Sequence, residues 1–169
     1  MATNNINQES EYVDHIQNIS LNPFFMSKII QSFYTGFGKE NKTTFNLIYI
    51  ILPIIYYRPS RRLLITANSK STLRSLFVDE IDKATALGGL QERVTYFYEM
   101  TNYSFIVASN ERNMLLNMDG LIELIKPIDY KDFRNKNVKD FIRASHYLGL
   151  VCSKMEISNI YRLLGVSLP

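Results

Sequence analysis

The densest group of side chains suited to binding chemistry is a run of five basic residues. They fall within positions 58–74, a stretch of 17 residues that contains no Asp or Glu. Clustered guanidinium and ammonium groups neutralise phosphates or bind an acidic protein surface. The run therefore predicts a contact site for DNA or an acidic partner, and the competing interpretation is a solvated loop. The predicted contact residues are Arg58, Arg61, Arg62, Lys70 and Arg74.

Residues suited to nucleophilic or metal chemistry are scarce. The chain has one cysteine, Cys152, and two histidines, His15 and His146. Cys152 and His146 stand six positions apart on one predicted helix, a spacing that points them in well-separated directions. A single cysteine also excludes a disulfide framework and fits a reducing compartment. We expect no catalytic residue, no cofactor, no metal and no small-molecule substrate, so the chain is classed as a non-enzyme.

Composition indicates one globular domain with a substantial core. Of the 169 residues, 46% are hydrophobic and 21% are charged, which is ordinary for a folded domain. The net charge of +3 is too small to indicate nucleic-acid binding by itself. The longest apolar stretch, residues 45–57, is shorter than the ~20 residues of a membrane-spanning helix. We expect it to be a buried helix, and expect a cytoplasmic protein without membrane contact.

The chain divides into an N-terminal arm and one domain. Residues 1–20 carry three acids and no Lys or Arg, and their apolar positions are sparse, so we predict a flexible or partner-ordered arm. Residues 21–169 are predicted to form a single helical domain. Asn22 and Pro23 supply a helix N-cap and first turn, and Gly165 is suited to end the last helix.

The segment from Leu90 to Ile125 predicts two helices followed by a β-hairpin. We expect helices over residues 90–100 and 103–110, separated at Thr101-Asn102, and a hairpin turn at residues 117–120. This order is that of a winged helix, so the predicted fold is mainly α, a compact helical domain with a small β-hairpin. The second helix has no Lys or Arg, which favours protein contact over base readout. The predicted partner-contact residues of the wing are Leu115, Met118, Leu121 and Ile122.

Several short sequence motifs, taken in their order along residues 21–166, resemble those of a known family. The family is the middle component of bacterial three-component ABC-ATPase systems, to which Lamassu-type antiphage systems belong. One departure is Leu64-Ile65, where family members often have Leu-Pro. The motifs that carry the resemblance are Leu21-Asn22-Pro23-Phe24, Leu52-Pro53, Arg58-Pro59-Ser60-Arg61-Arg62, Leu148-Gly149, Ile160-Tyr161 and Leu163-Leu164-Gly165-Val166.

The resemblance implies a non-catalytic adaptor subunit. Such a subunit bridges an SMC/Rad50-like ABC ATPase dimer and a nuclease-type effector in a complex that defends against phages and plasmids. It helps hold the effector inactive until DNA is sensed, and it meets double-stranded DNA through the complex.

Two other functions remain open on the residues alone. One is a stand-alone winged-helix DNA-binding regulator, which requires salt-dependent DNA binding by the isolated protein. The other is a small enzyme that gathers scattered acids around His15 or His146, although nothing in the spacing predicts such a pocket.

Overall fold

Helices make up most of the structure, and three short strands form one antiparallel sheet. A computed structural model describes residues 21–38 and 43–167. The predicted arm, residues 1–20 with His15, lies outside the described residues. The mainly helical fold with a small β-hairpin is confirmed. The elements are α1 (Pro23–Phe37), β1 (Thr43–Thr44), α2 (Ile51–Tyr56), α3 (Arg58–Ile65), α4 (Leu73–Phe77), α5 (Ile81–Ala84), α6 (Leu90–Asn110), β2 (Met114–Leu116), β3 (Leu121–Leu124), α7 (Lys136–Cys152) and α8 (Ile157–Leu164).

The predicted helix signals at both ends of the domain are confirmed. The Asn22 side chain accepts a hydrogen bond from the Phe24 amide at 2.8 Å, and Pro23 occupies the first turn of α1. Helix α8 ends at Gly165, whose φ of 65° is the left-handed conformation that glycine adopts at little cost.

Helices α1 and α7 pack against each other through reciprocal serine hydrogen bonds. The Ser32 hydroxyl on α1 donates to the Ile142 carbonyl of α7 at 2.8 Å. The Ser145 hydroxyl on α7 donates to the Ile29 carbonyl of α1 at 2.7 Å. Both serines are fully buried, so each bond joins the backbone of one helix to a side chain of the other.

One turn beyond each serine, a glycine lets the two backbones come into contact. A Cβ atom at Gly36 would overlap the carbonyl oxygen of His146, and one at Gly149 would overlap that of Phe33. We call the four small residues of this contact the α1–α7 seam. They are Ser32, Gly36, Ser145 and Gly149.

The apolar stretch over residues 45–57 is buried through its centre, residues 47–55, as predicted, but it is not one helix. Residues 45–50 form a 3-10 helix, α2 follows, and the chain becomes extended at Tyr57 before α3 begins. Pro59 lies in the first turn of α3, where its missing N–H costs nothing. Leu64 and Ile65, the departure from the family pattern, continue α3 to its end. In the described part of the chain, no helix is long and apolar enough to cross a membrane.

The predicted helix break at Thr101-Asn102 is wrong, because α6 runs unbroken over 21 residues. Its polar residues are satisfied within the fold. Asn102 accepts a hydrogen bond from the Tyr49 hydroxyl at 2.9 Å, and Ser104 donates to the Met100 carbonyl one turn back. The hairpin therefore follows one long helix, and the helix–turn–helix part of the predicted winged-helix order is not formed there.

The predicted hairpin is confirmed, with one strand more than expected. Strands β2 and β3 pair antiparallel, and the turn between them is closed by Asn117, whose side chain accepts from the amides of Asp119 and Leu121. Strand β1 adds to the other edge of β3, giving the order β1-β3-β2. A strand of two residues has no hydrophobic alternation, so the sequence gives no sign of it.

Candidate contact surfaces

A groove of about 820 Å³ lies between α3 and the first turns of α7. Arg58, Arg61 and Arg62 line it from α3, because positions i, i+3 and i+4 share one face of a helix. Lys136 and Asp140 line it from α7. Four cations thus face one carboxylate beside the amino end of α7, where the helix dipole adds positive potential. We call this surface the basic groove.

Arg61 is part of the structure that holds the groove open. Its guanidinium donates to the Ile55 carbonyl at 2.8 Å, at the carboxyl end of α2, where helix carbonyls lack intrahelical partners. The same group stacks over the Phe141 ring, 4.0 Å from the ring centroid. Partial burial lowers the pKa of Arg61, and its proximity to Tyr56 opposes that shift. Arg61 therefore joins α2, α3 and α7.

Arg58 and Arg62 differ from Arg61 in exposure. Both side chains are exposed, and neither forms an ion pair with another residue in the described ranges. Their charges are therefore available to an anionic group entering the groove.

Lys70 lies far from the groove, at the opposite end of α7. Its loop is held by Lys154, whose ammonium donates to the Ser69 and Ser71 carbonyls at 2.7 and 2.6 Å. Lys154 follows the last turn of α7, whereas Lys136 begins that helix. A helix of 17 residues is about 25 Å long, so Lys70 and the groove do not form one site.

Arg74 is also separate from the groove-lining set. Its Nε lies 3.3 Å from the Asp79 carboxylate, and both side chains are at least half exposed. Exposed pairs of this kind contribute little to stability. The five predicted bases thus divide into a groove-lining trio and two surface residues.

Lys136 is the groove cation that sequence reasoning missed. Asn135 caps α7 by accepting from the Val138 amide at 3.2 Å, which is a recognisable start signal. That signal places Lys136 in a first turn, but it does not place that turn beside α3. Only the packing of α3 against α7 brings the two segments together.

The hairpin presents an apolar edge. Leu115 is 42% exposed, Leu116 is 46% exposed and Met118 at the turn is fully exposed. Strand β2 lies at the end of the sheet order, so these side chains flank an edge strand. We call Leu115, Leu116 and Met118 the apolar hairpin edge. Of the other predicted contact residues, Leu121 is half-buried and Ile122 is in the core, 2% exposed, where it cannot meet a partner surface.

His146 and Cys152 have separate environments. Cys152 is fully buried, and burial raises the pKa of its thiol, which suits a core residue rather than a nucleophile. The His146 ring packs edge-on against Tyr130, 5.4 Å between ring centroids, and burial lowers its pKa. Across residues 21–38 and 43–167, no group of three or more His, Cys, Asp or Glu side chains could hold a metal ion.

These features define a small helical domain whose exposed surfaces include a basic groove and an apolar strand edge. Residues 10–168 match the family model of the ABC-three component (ABC-3C) system Middle Component 3. The chain belongs to this family, which is consistent with an adaptor that has protein partners in a complex. No curated protein matches the chain, and no solved structure matches it.

Proposed function

We propose that this chain is a non-catalytic adaptor in a Lamassu-type antiphage complex that senses DNA. In this role it bridges an SMC/Rad50-like ABC ATPase dimer and a nuclease-type effector, and it helps keep the effector inactive until DNA is sensed. The observation that carries the proposal is the presence of two unlike exposed surfaces on one small domain of a middle-component family.

The basic groove supports contact with an acidic partner surface or with DNA phosphates held by the complex. Exposed Arg58 and Arg62 supply guanidinium groups that bind carboxylates or phosphates in bidentate geometry. Charge complementarity of this kind chooses the partner and speeds association more than it adds affinity.

The apolar hairpin edge supports contact with a second protein. Leu116 and Met118 give exposed apolar area beside β2, which is an edge strand of the sheet. Edge strands are common sites of strand addition, in which the backbone supplies affinity and side chains supply specificity. Two surfaces of different chemistry allow one domain to bind two unlike proteins.

The test is purification of the tagged chain from its native operon, followed by mass spectrometry and mass photometry. Recovery with an SMC-like ATPase at fixed stoichiometry supports the proposal. Recovery as a monomer or homodimer without other proteins contradicts it, and salt-dependent DNA binding by that species would favour the stand-alone regulator.

Charge reversal tests the groove within that experiment. Arg58→Glu with Arg62→Glu changes two exposed residues, and leaves Arg61 and its structural contacts intact. We expect at least one partner to be lost from the purified complex, with unchanged thermal unfolding. Lys70→Glu with Arg74→Glu makes the same change in net charge elsewhere on the surface, and is the matched control. Equal loss in both double variants would contradict a role for the groove.

Charge insertion tests the hairpin in the same way. Leu116→Asp with Met118→Asp places two carboxylates on the apolar hairpin edge, and we expect loss of a partner different from the one lost in the groove variant. Ile81→Asp is the control, because Ile81 is 88% exposed and lies outside the hairpin. Full recovery of every partner from the hairpin variant would remove this surface from the proposal.

A further inference from the structure

The walls of the basic groove are both charged and apolar. Phe25 of α1 and Phe141 of α7 line it together with the cations, and their rings are 5.7 Å apart in edge-on contact. Ile65 and Val138 add aliphatic surface. Four cations against the single carboxylate of Asp140 leave the groove with an excess of positive charge. An occupant that fits these walls carries carboxylates and apolar side chains close together.

The chain that precedes α1 has this composition. Residues 9–20 contain three acids, Glu9, Glu11 and Asp14, and no Lys or Arg. Four apolar side chains are interleaved with them or follow them, and they are Tyr12, Val13, Ile16 and Ile19. Charge complementarity thus matches this segment to the groove, and the apolar residues match the ring-lined walls.

The chain that follows the segment leads directly to the groove. Four residues lie between Ser20 and Phe25, which itself lines the groove, so the length of the chain limits the distance between them to about 17 Å. The match to the family model begins at residue 10, so most of the segment belongs to the family pattern. A tether this short gives an effective concentration in the millimolar range, at which a weak contact is well populated.

We propose that residues 9–20 of this chain dock in the basic groove, with Glu11 and Asp14 facing Arg58 and Arg62. The segment then covers Phe25 and Phe141 and occupies the site that an acidic partner would use, so binding of that partner requires its displacement. This inference does not depend on the proposed adaptor function, since it concerns contacts within one chain.

The test uses a spin label on Val13→Cys and methyl NMR spectra of the purified full chain. Because Cys152 is fully buried, the wild-type protein treated with the same reagent is the labelling control. We expect the label to broaden the methyl signals of Ile65 and Val138 in the groove, and to leave those of Leu115 and Leu116 on the hairpin unchanged. Equal intensities at both places would overturn the proposal.

A charge exchange separates docking from mere proximity. Each double variant, Glu11→Lys with Asp14→Lys or Arg58→Glu with Arg62→Glu, places like charges opposite each other and should restore the intensity of the groove signals. The quadruple variant pairs opposite charges again, and the groove signals should again be broadened. Broadening that persists in the two single-side variants would contradict the charge pairing and the proposal with it. A mixture of two samples detects contact between copies: one protein carries the spin label without isotope enrichment, and the other is isotope-enriched without the spin label. Broadening of the groove signals in that mixture would show that a second copy, rather than the same chain, supplies the segment.

Discussion

Helix α7 meets two regions that are built in opposite ways. At Ser145 and Gly149 it contacts α1 through the smallest side chains available, and each backbone touches the other. In its first turns, at Lys136 and Asp140, it borders a groove lined by long charged side chains that reach solvent. The seam fixes the positions of two backbones and leaves no space for larger side chains at Gly36 and Gly149. The groove keeps its shape through Arg61, while Arg58 and Arg62 can vary without disturbing the core.

This difference means that stability and partner binding respond to different residues of neighbouring regions. A change in the seam alters the angle between α1 and α7, and so also the groove that lies between α7 and α3. A change in the exposed groove cations alters the electrostatic field alone. Variants can therefore separate the fold from the surface that it carries.

The largest effect is expected from Gly149→Ala. The added Cβ overlaps the Phe33 carbonyl oxygen and lies 2.8 Å from the Phe37 nitrogen, both backbone atoms, so the helices must move apart. Overpacking of this kind costs about 3 kcal/mol, and the better helix propensity of alanine returns about 1 kcal/mol. We expect the free energy of unfolding to fall by about 2 kcal/mol, measured as a lower urea midpoint at constant m.

Gly120→Ala is the control for that variant. Gly120 has φ 73° and open space around its Cα, so alanine there carries a backbone cost of about 1 kcal/mol without a steric one. If Gly149→Ala were no more destabilising than Gly120→Ala, the seam would be less tightly packed than the distances indicate.

The second effect compares two neighbouring arginines. Arg61→Ala removes a charged hydrogen bond to the Ile55 carbonyl and the stacking on Phe141, which together are worth about 2 kcal/mol. Arg62→Ala removes an exposed side chain, and its cost should stay within about 0.5 kcal/mol. Urea unfolding of both variants checks the difference. An equal loss in the free energy of unfolding for both variants would mean that the contacts of Arg61 do not stabilise the fold.

The outcome of sequence reasoning follows the same division. The caps at Asn22 and Gly165 and the hairpin turn at Asn117 are local signals, and the structure confirms them. The continuity of α6 through Thr101-Asn102 depends on a tertiary bond from Tyr49, which local propensity does not report. Tertiary contacts override weak local preferences in this way.

The candidate site was predictable only in part for the same reason. The basic run identified Arg58, Arg61 and Arg62, but the sequence predicted no helix over them, and it is α3 that places them on one face. It did not separate Lys70 from them, since the loop's attachment to Lys154 is a contact between residues 83 or more positions apart. Nor did it include Lys136, which enters the groove through the packing of α3 on α7.

The smallest effect concerns a titratable residue at the edge of the seam. The His146 backbone faces Gly36, and its ring lies in a part-buried site where burial lowers its pKa, with Asp129 and Arg143 acting in opposite directions. The unfolded chain therefore binds this proton more readily than the folded protein does. The contribution of His146 to stability is full above the unfolded pKa of about 6.5, and it falls as the pH drops through that value toward the lower folded pKa. Urea unfolding at several pH values should show a shallower acid dependence for His146→Gln than for wild type. Glu111, whose pKa is lowered chiefly by its hydrogen bond from Lys28, makes both proteins less stable at more acidic pH, where its carboxylate is protonated. Identical curves for the two proteins would show that protonation of His146 does not destabilise the fold.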